Sequence, residues 1–183
     1  MNWVDILYLL LILGGLALGF FQGTIKLVVA VVSFYVGIIL ASLYFQTVGN
    51  FFRVRFHSSV GVSQITAFAL ILLMSFIILT IAGLYTFRYA KMPASLDFID
   101  RIIGTVLGLF MSALMMGMMS LILQRLVSAG LGDVADLPIG AMVQSGVRSS
   151  QLLPFFARSV LPLLYGLLRP VLPAESQIIF QIQ

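Results

Sequence analysis

The sequence predicts an all-α integral membrane protein: a bundle of four transmembrane helices followed by a C-terminal amphipathic, interfacial helical segment. Three observations predict it. Hydrophobic side chains make up 61% of the 183 residues and charged ones 9%, with a mean hydropathy of +1.15, whereas average soluble domains carry roughly 25% charged residues. Four stretches, 6–21, 27–45, 65–87 and 102–123, contain no charge. Random placement of the chain's 10 basic and 6 acidic residues would leave about seven inside them, so hydrocarbon burial explains the exclusion. The intervening segments, 22–26, 46–64 and 88–101, are short, which makes successive helices antiparallel neighbours.

Taken in order, the first run spans only about 24 Å at 1.5 Å per residue and must recruit Trp3 and Val4 to cross a core of about 30 Å. The first span is therefore 3–21, with Trp3 at the interface. A cleaved secretory signal is disfavoured, because its leading residues carry Asp5 and no Lys or Arg, and no A-x-A site follows. The other spans are 27–45, 65–87 and 102–123, giving a transmembrane domain over 1–125. Ser75 and Thr80 in the third span are expected to bond back to their own helix carbonyls. Met111, Met115, Met116, Met118 and Met119 crowd the fourth, as lipid-facing filler or as adaptable packing.

Residues 126–183 form a linker and tail. Gly130, Gly132, Asp133, Asp136 and Pro138 mark the linker, and 144–151 is rich in Ser and Gln with Arg148. In 152–172, Gln151, Arg158, Pro162, Gly166 and Arg169 share one side of a helical wheel. Leu152, Phe155, Phe156, Val160, Leu163, Leu164, Leu167 and Leu168 fall opposite. That pattern predicts a helix lying in the interface, divided near Pro162; a fifth span is the competing reading, since the run is long enough to cross.

The net charge of +4 comes from basic residues scattered between apolar runs, which points to the lipid bilayer and away from nucleic acid. Zero cysteines exclude thiolate nucleophiles and Cys-ligated metal, and the lone His57 cannot build a histidine metal site. The sequence therefore assigns no catalytic residue, no cofactor and no metal. Candidate functional charges are Asp5, Lys26, Asp100 and Arg101. Asp5 reads as the carboxylate of an Asn2-x-x-Asp5 helix cap or as a membrane-edge charge for a partner. Asp100 opens the fourth span beside Arg101, and Lys26 is expected to approach it. The loop holding Lys26 and the loop holding Arg88, Lys91 and Arg101 share one side and outnumber Arg53, Arg55 and Arg125 on the other. The positive-inside rule then places both termini outside the cytoplasm.

Small residues recur every four positions at Gly15, Gly19 and Gly23, at Ser33, Gly37 and Ala41, and at Gly104, Gly108 and Ser112. Because lipid is as apolar as leucine, membrane helices associate by close backbone approach, and these stripes are expected packing seams.

These features resemble the colicin V production protein (CvpA) family of bacterial membrane proteins. Trp3–Asp5 leads into the first span; Gly19-Phe20-Phe21-Gln22-Gly23 closes it; Asp100-Arg101-Ile102-Ile103-Gly104 enters the fourth, with Gly108 one turn on; Ser149-Ser150-Gln151 approaches Pro154. The resemblance covers 1–125 well and the tail loosely. The family's pattern has a basic residue between the two glycines and a Glu soon after, where this chain has Gln22 and Leu27; Lys26 is the nearest basic residue. The resemblance implies a multi-pass protein of the bacterial inner membrane that supports peptide toxin production or export, or envelope homeostasis. It implies a non-enzymatic role through an unknown membrane or secretion partner, and a homo-oligomer is compatible with it. The alternative is an oligomeric channel or transporter for ions or small solutes, its path lined by hydroxyl and backbone groups because charges are missing.

Overall fold

A computed structural model describes residues 2–89, 96–128, 144–147 and 149–168. Its described elements are helices: α1 (Trp3–Phe56), α2 (Val60–Thr86), α3 (Asp97–Ser128) and α4 (Leu152–Leu168), with a helical turn at 144–147 before α4. The first three are each long and apolar enough to cross a membrane. Lys91, Arg148, Arg169, the linker residues Gly130–Pro138 and the side chains of Leu167 and Leu168 lie outside what is described.

The first two apolar runs belong to one helix, α1, and no loop separates them. A straight helix of 54 residues would be about 81 Å long, far beyond a bilayer core of about 30 Å. It is not straight: Gly23 has φ 75° and ψ 175°, a left-handed conformation that glycine adopts without steric cost. Leu11 and Phe34 stand on either side of this break. They would be about 34 Å apart along an unbroken helix, yet both line one pocket of about 280 Å³. The arms 3–22 and 24–56 therefore fold back towards each other, hinged at a single residue. The expected loop 22–26 reduces to Gly23, because polar Gln22, Thr24 and Lys26 are compatible with helix wherever its end reaches an interface.

The other connections also shorten. α1 continues to Phe56, held by Gly49 against Gln64 of α2, and stops where His57 takes the left-handed conformation, φ 51°. Ser59 then caps α2 by accepting from the Val62 amide at 3.4 Å. α2 runs antiparallel to the second arm, with Gly83 beside Val29 and Gly37 beside Leu72 and Phe76. α3 begins at Asp97, so Asp100 sits in its first turn instead of opening it.

Two apolar clusters form the core. The larger joins Phe34, Ile38 and Phe45 of α1, Phe68 and Leu72 of α2, Met111, Met118 and Leu121 of α3, and Ala157, Leu161 and Leu164 of α4. The smaller joins Val4, Tyr8, Met116, Val147 and Leu153. Met111, Met116 and Met118 are thus core residues and not lipid-facing filler; their unbranched chains fill the irregular space between the α1 arms. Large apolar side chains such as Leu10, Phe21, Ile78, Ile81 and Val106 remain exposed, which is stable where the solvent is lipid.

In α4 the buried stripe is Leu153, Ala157, Leu161 and Leu164, seated partly on Gly117, where an added Cβ would meet Val160. Phe155 and Leu163 are exposed along with Arg158. The wheel had set them opposite that arginine, but polarity does not sort buried from exposed where the surroundings are apolar. Nor is the helix divided at Pro162, which lies inside it: the ring removes one hydrogen bond, and the contacts of Leu161 and Leu164 bridge the gap.

Candidate functional site

Buried polar groups inside this apolar bundle are few, and those that bond between distant parts of the chain lie at the α1–α3 contact and where the tail meets α1. At one end is Asp5. The Asn2-x-x-Asp5 spacing does form a capping box: Asn2 Oδ1 accepts from the Trp3 amide at 2.7 Å, and Asp5 Oδ2 accepts from the Asn2 amide at 3.4 Å. The other carboxylate oxygen reaches across the fold. Asp5 Oδ1 accepts from Ser150 Oγ at 2.7 Å and from the Leu152 amide at 3.3 Å, while Ser150 Oγ accepts from the Leu153 amide at 3.1 Å. Asn2 Nδ2 donates to the Gly146 carbonyl and to Ser149 Oγ. Asp5 is 7% exposed, and its charge lies at the amino ends of both α1 and α4, where two sets of unpaired N–H groups and two helix dipoles favour an anion. This arrangement explains how a carboxylate is tolerated there without a salt bridge among the described residues.

One turn further in, the Tyr8 hydroxyl and Ser120 Oγ are 2.7 Å apart, and Ser120 Oγ donates to the Met116 carbonyl at 2.8 Å. Ser120 has one proton, so when it goes to Met116 the tyrosine is the donor. Ser112 Oγ is 3.0 Å from the Leu11 carbonyl and 2.8 Å from the Gly108 carbonyl. It joins α3 to the first arm of α1.

Between the two ends lies the glycine register. Gly15 faces Gly108 and Ser112, and Gly19 faces Gly104; a Cβ on Gly19, Gly104 or Gly108 would overlap the opposing backbone. Gly23 faces the Asp100 carboxylate. Gly37, in the middle of the second stripe, instead meets Leu72 and Phe76 of α2.

At the far end, the second arm of α1 restarts at Thr24 with its first amides unpaired. Asp100 supplies the missing cap from another helix: its Oδ1 accepts from the Thr24 amide at 2.8 Å, and its carbonyl accepts from Thr24 Oγ1 at 3.0 Å. Asp100 thus repeats the arrangement of Asp5, one carboxylate shared by the amino ends of two helices, here α3 and the second arm. Lys26 is exposed and does not engage it. Arg101 pairs with Asp97 at 2.9 Å and lies 5.5 Å from the centre of the Phe20 ring.

The two acids named from sequence are thus structural nodes, while Lys26 and Arg101 lie at the surface beside one of them. Sequence reasoning missed Tyr8, Ser120 and Thr24, whose partners are 76–112 positions away, and it passed over Gly49, Gly83 and Gly117, each seated against a neighbouring helix. It also placed Thr80 Oγ1 on its own helix, whereas that hydroxyl, like Ser42 Oγ, is buried without a partner. The available chemistry is acceptor, hydroxyl and amide; among the described residues no group of three or more acids and histidines converges.

A family model described as Colicin V production protein matches residues 4–161, a stretch containing Asp5, the Gly23 hinge, Asp100 and most of α4. No curated protein and no solved structure matches the chain.

Proposed function

From the premise that this chain belongs to the colicin V production protein family, we propose that it is a four-crossing, non-enzymatic protein of the bacterial inner membrane. In this reading it supports peptide toxin production or export, or envelope homeostasis, by holding a partner protein. The observation that carries it is the use made of the acids at the ends of the spans. Ionisable groups in a membrane-spanning bundle by default suggest transport or proton transfer, but Asp5 and Asp100 are both spent on capping helix ends within the chain. What remains is a stable scaffold.

The four crossings are 3–21, 27–45, 65–87 and 102–123, with the first two joined at Gly23, and α4 lies along the interface. The hinge supports this count: α1 is long enough for two crossings, and Leu11 and Phe34 share one cavity. Charge asymmetry favours termini outside the cytoplasm. The channel alternative needs a polar path, and two cavities formed by described residues are lined chiefly by apolar side chains.

Crosslinking in native membranes from a photoreactive residue at Phe155 or Leu163, the exposed face of α4, tests the partner reading. A single captured protein, whose capture is lost together with toxin export or envelope integrity, is expected. Ion or solute flux from purified protein in liposomes, abolished by substitutions along the seam, would overturn it in favour of the channel.

A further inference from the structure

The larger of these two cavities lies away from Asp5 and reaches Asp100 only at Thr24, where that acid caps the second arm of α1. It is a groove of about 700 Å³ between the second arm of α1 and α2, walled by Val28, Val29, Val32, Val36 and Leu79 and reaching Thr24, Thr86 and Phe87 at one end. Its α1 wall runs from Thr24 to Val36, about 18 Å at 1.5 Å per residue. That is close to half of a bilayer core of about 30 Å, and well short of the length a partner's spanning helix would need. The groove therefore fits a guest that enters from one membrane surface and stops near the midplane, as one lipid chain does.

The end at Thr24 and Thr86 has the complementary head. Arg88 follows Phe87, with its guanidinium carbon 4.7 Å from the centre of the Tyr85 ring and 4.5 Å from that of Tyr89. Both tyrosines are exposed, as befits aromatic residues at the headgroup level. Lys26 follows Ile25 on the other wall and is also exposed. Arg101 at the same end has Asp97, but neither Arg88 nor Lys26 has a carboxylate partner among the described residues. The described charges at this end, Lys26, Arg88 and Arg101 against Asp97 and Asp100, leave an excess of positive charge beside a one-leaflet apolar slot. A basic residue near a membrane surface favours an anionic lipid by about fivefold.

We propose that this groove is a binding site for one anionic glycerophospholipid, with an acyl chain between α1 and α2 and the phosphate near Arg88 and Lys26. The inference rests on the four-crossing reading only in placing the Thr86 end at a membrane surface. Native mass spectrometry of the purified chain in detergent, titrated with phosphatidylglycerol and with phosphatidylcholine of identical chains, tests it. One phosphatidylglycerol should bind in preference to phosphatidylcholine. Arg88→Gln and Lys26→Gln should each cut that preference about fivefold. Ala82→Phe and Val32→Phe, on opposite walls and at exposed positions, should reduce binding of both lipids while helicity is retained in at least one of the two. Equal affinity for the two lipids, full binding by a folded wall variant, competition by glycerol phosphate as strong as by the lipid, or a second copy of the chain occupying the groove would each overturn the proposal. Cysteine labelling at Ser58 and Lys26 from opposite sides of intact membranes reads the four-crossing arrangement separately.

Discussion

Gly14 and Gly19 are both helical glycines of the first arm, and replacing each with alanine should move stability in opposite directions. Around Gly14 an added Cβ meets nothing within 4 Å, so Gly14→Ala removes only the backbone freedom of glycine and should stabilise by about 0.5–1 kcal/mol. At Gly19 the same methyl would overlap the Gly104 carbonyl and come within 2.8 Å of Thr105 Cα, where ordinary contact begins at 3.4 Å. No side chain can rotate away, because the obstruction is backbone. The first arm and α3 must separate by at least about 0.6 Å, and such overpacking costs about 1–3 kcal/mol even after relaxation. Separation would also stretch the Tyr8–Ser120 contact and loosen Asp100 from Thr24. The two variants should therefore differ by about 1.5–4 kcal/mol, measured by denaturant titration in mild detergent micelles and followed by circular dichroism. If Gly19→Ala were as stable as Gly14→Ala, the seam between α1 and α3 would not be a close backbone contact, and the reasoning from it would fail.

Asp5→Ala strands the Ser150 hydroxyl and the Leu152 amide, at about 1–3 kcal/mol for each buried donor left unpaired; tryptic cleavage at Arg158 should become at least about tenfold faster, and an unchanged rate would refute the clamp. Asp100→Asn retains an acceptor for the Thr24 amide whereas Asp100→Ala does not, so alanine should cost about 1 kcal/mol more, as expected for loss of a cap. Thermal melts of the pair decide it, and equal melting would remove Asp100 as the cap of the second arm. Gly23→Ala combines a left-handed backbone with an overlap on the Asp100 carboxylate and should lower the melting temperature more than Gly14→Ala raises it.

Local features were legible in the sequence and long-range ones were not. The Asn2–Asp5 cap follows from spacing alone, because both partners lie within one turn. The stripes of Gly15, Gly19 and Gly104, Gly108 fall on faces that meet, since a period of four keeps small residues on one side of a helix. The hinge at Gly23 was hidden by Gln22 and Lys26, whose polarity mimics a loop when it marks only a helix end at an interface. Ser150 offered no signal linking it to Asp5, for the pairing depends on how the tail returns to the bundle. The apolar side of α4 was legible only in part: Leu164 is buried and Leu152, Phe156 and Val160 pack against the core, while Phe155 and Leu163 face outward, because hydrophobic periodicity reports burial only against water.

Ser150 and Asp5 stand 145 positions apart, which sets an order in time. At a synthesis rate of about 5–20 residues per second, roughly 7–29 s pass between the making of Asp5 and the making of its principal partner. Throughout that interval the carboxylate has its own cap and water at the membrane edge, and the amino end of α1 cannot close. A nascent chain halted before Ser150 leaves this end of α1 without its distant partners, and the arrival of the tail supplies them.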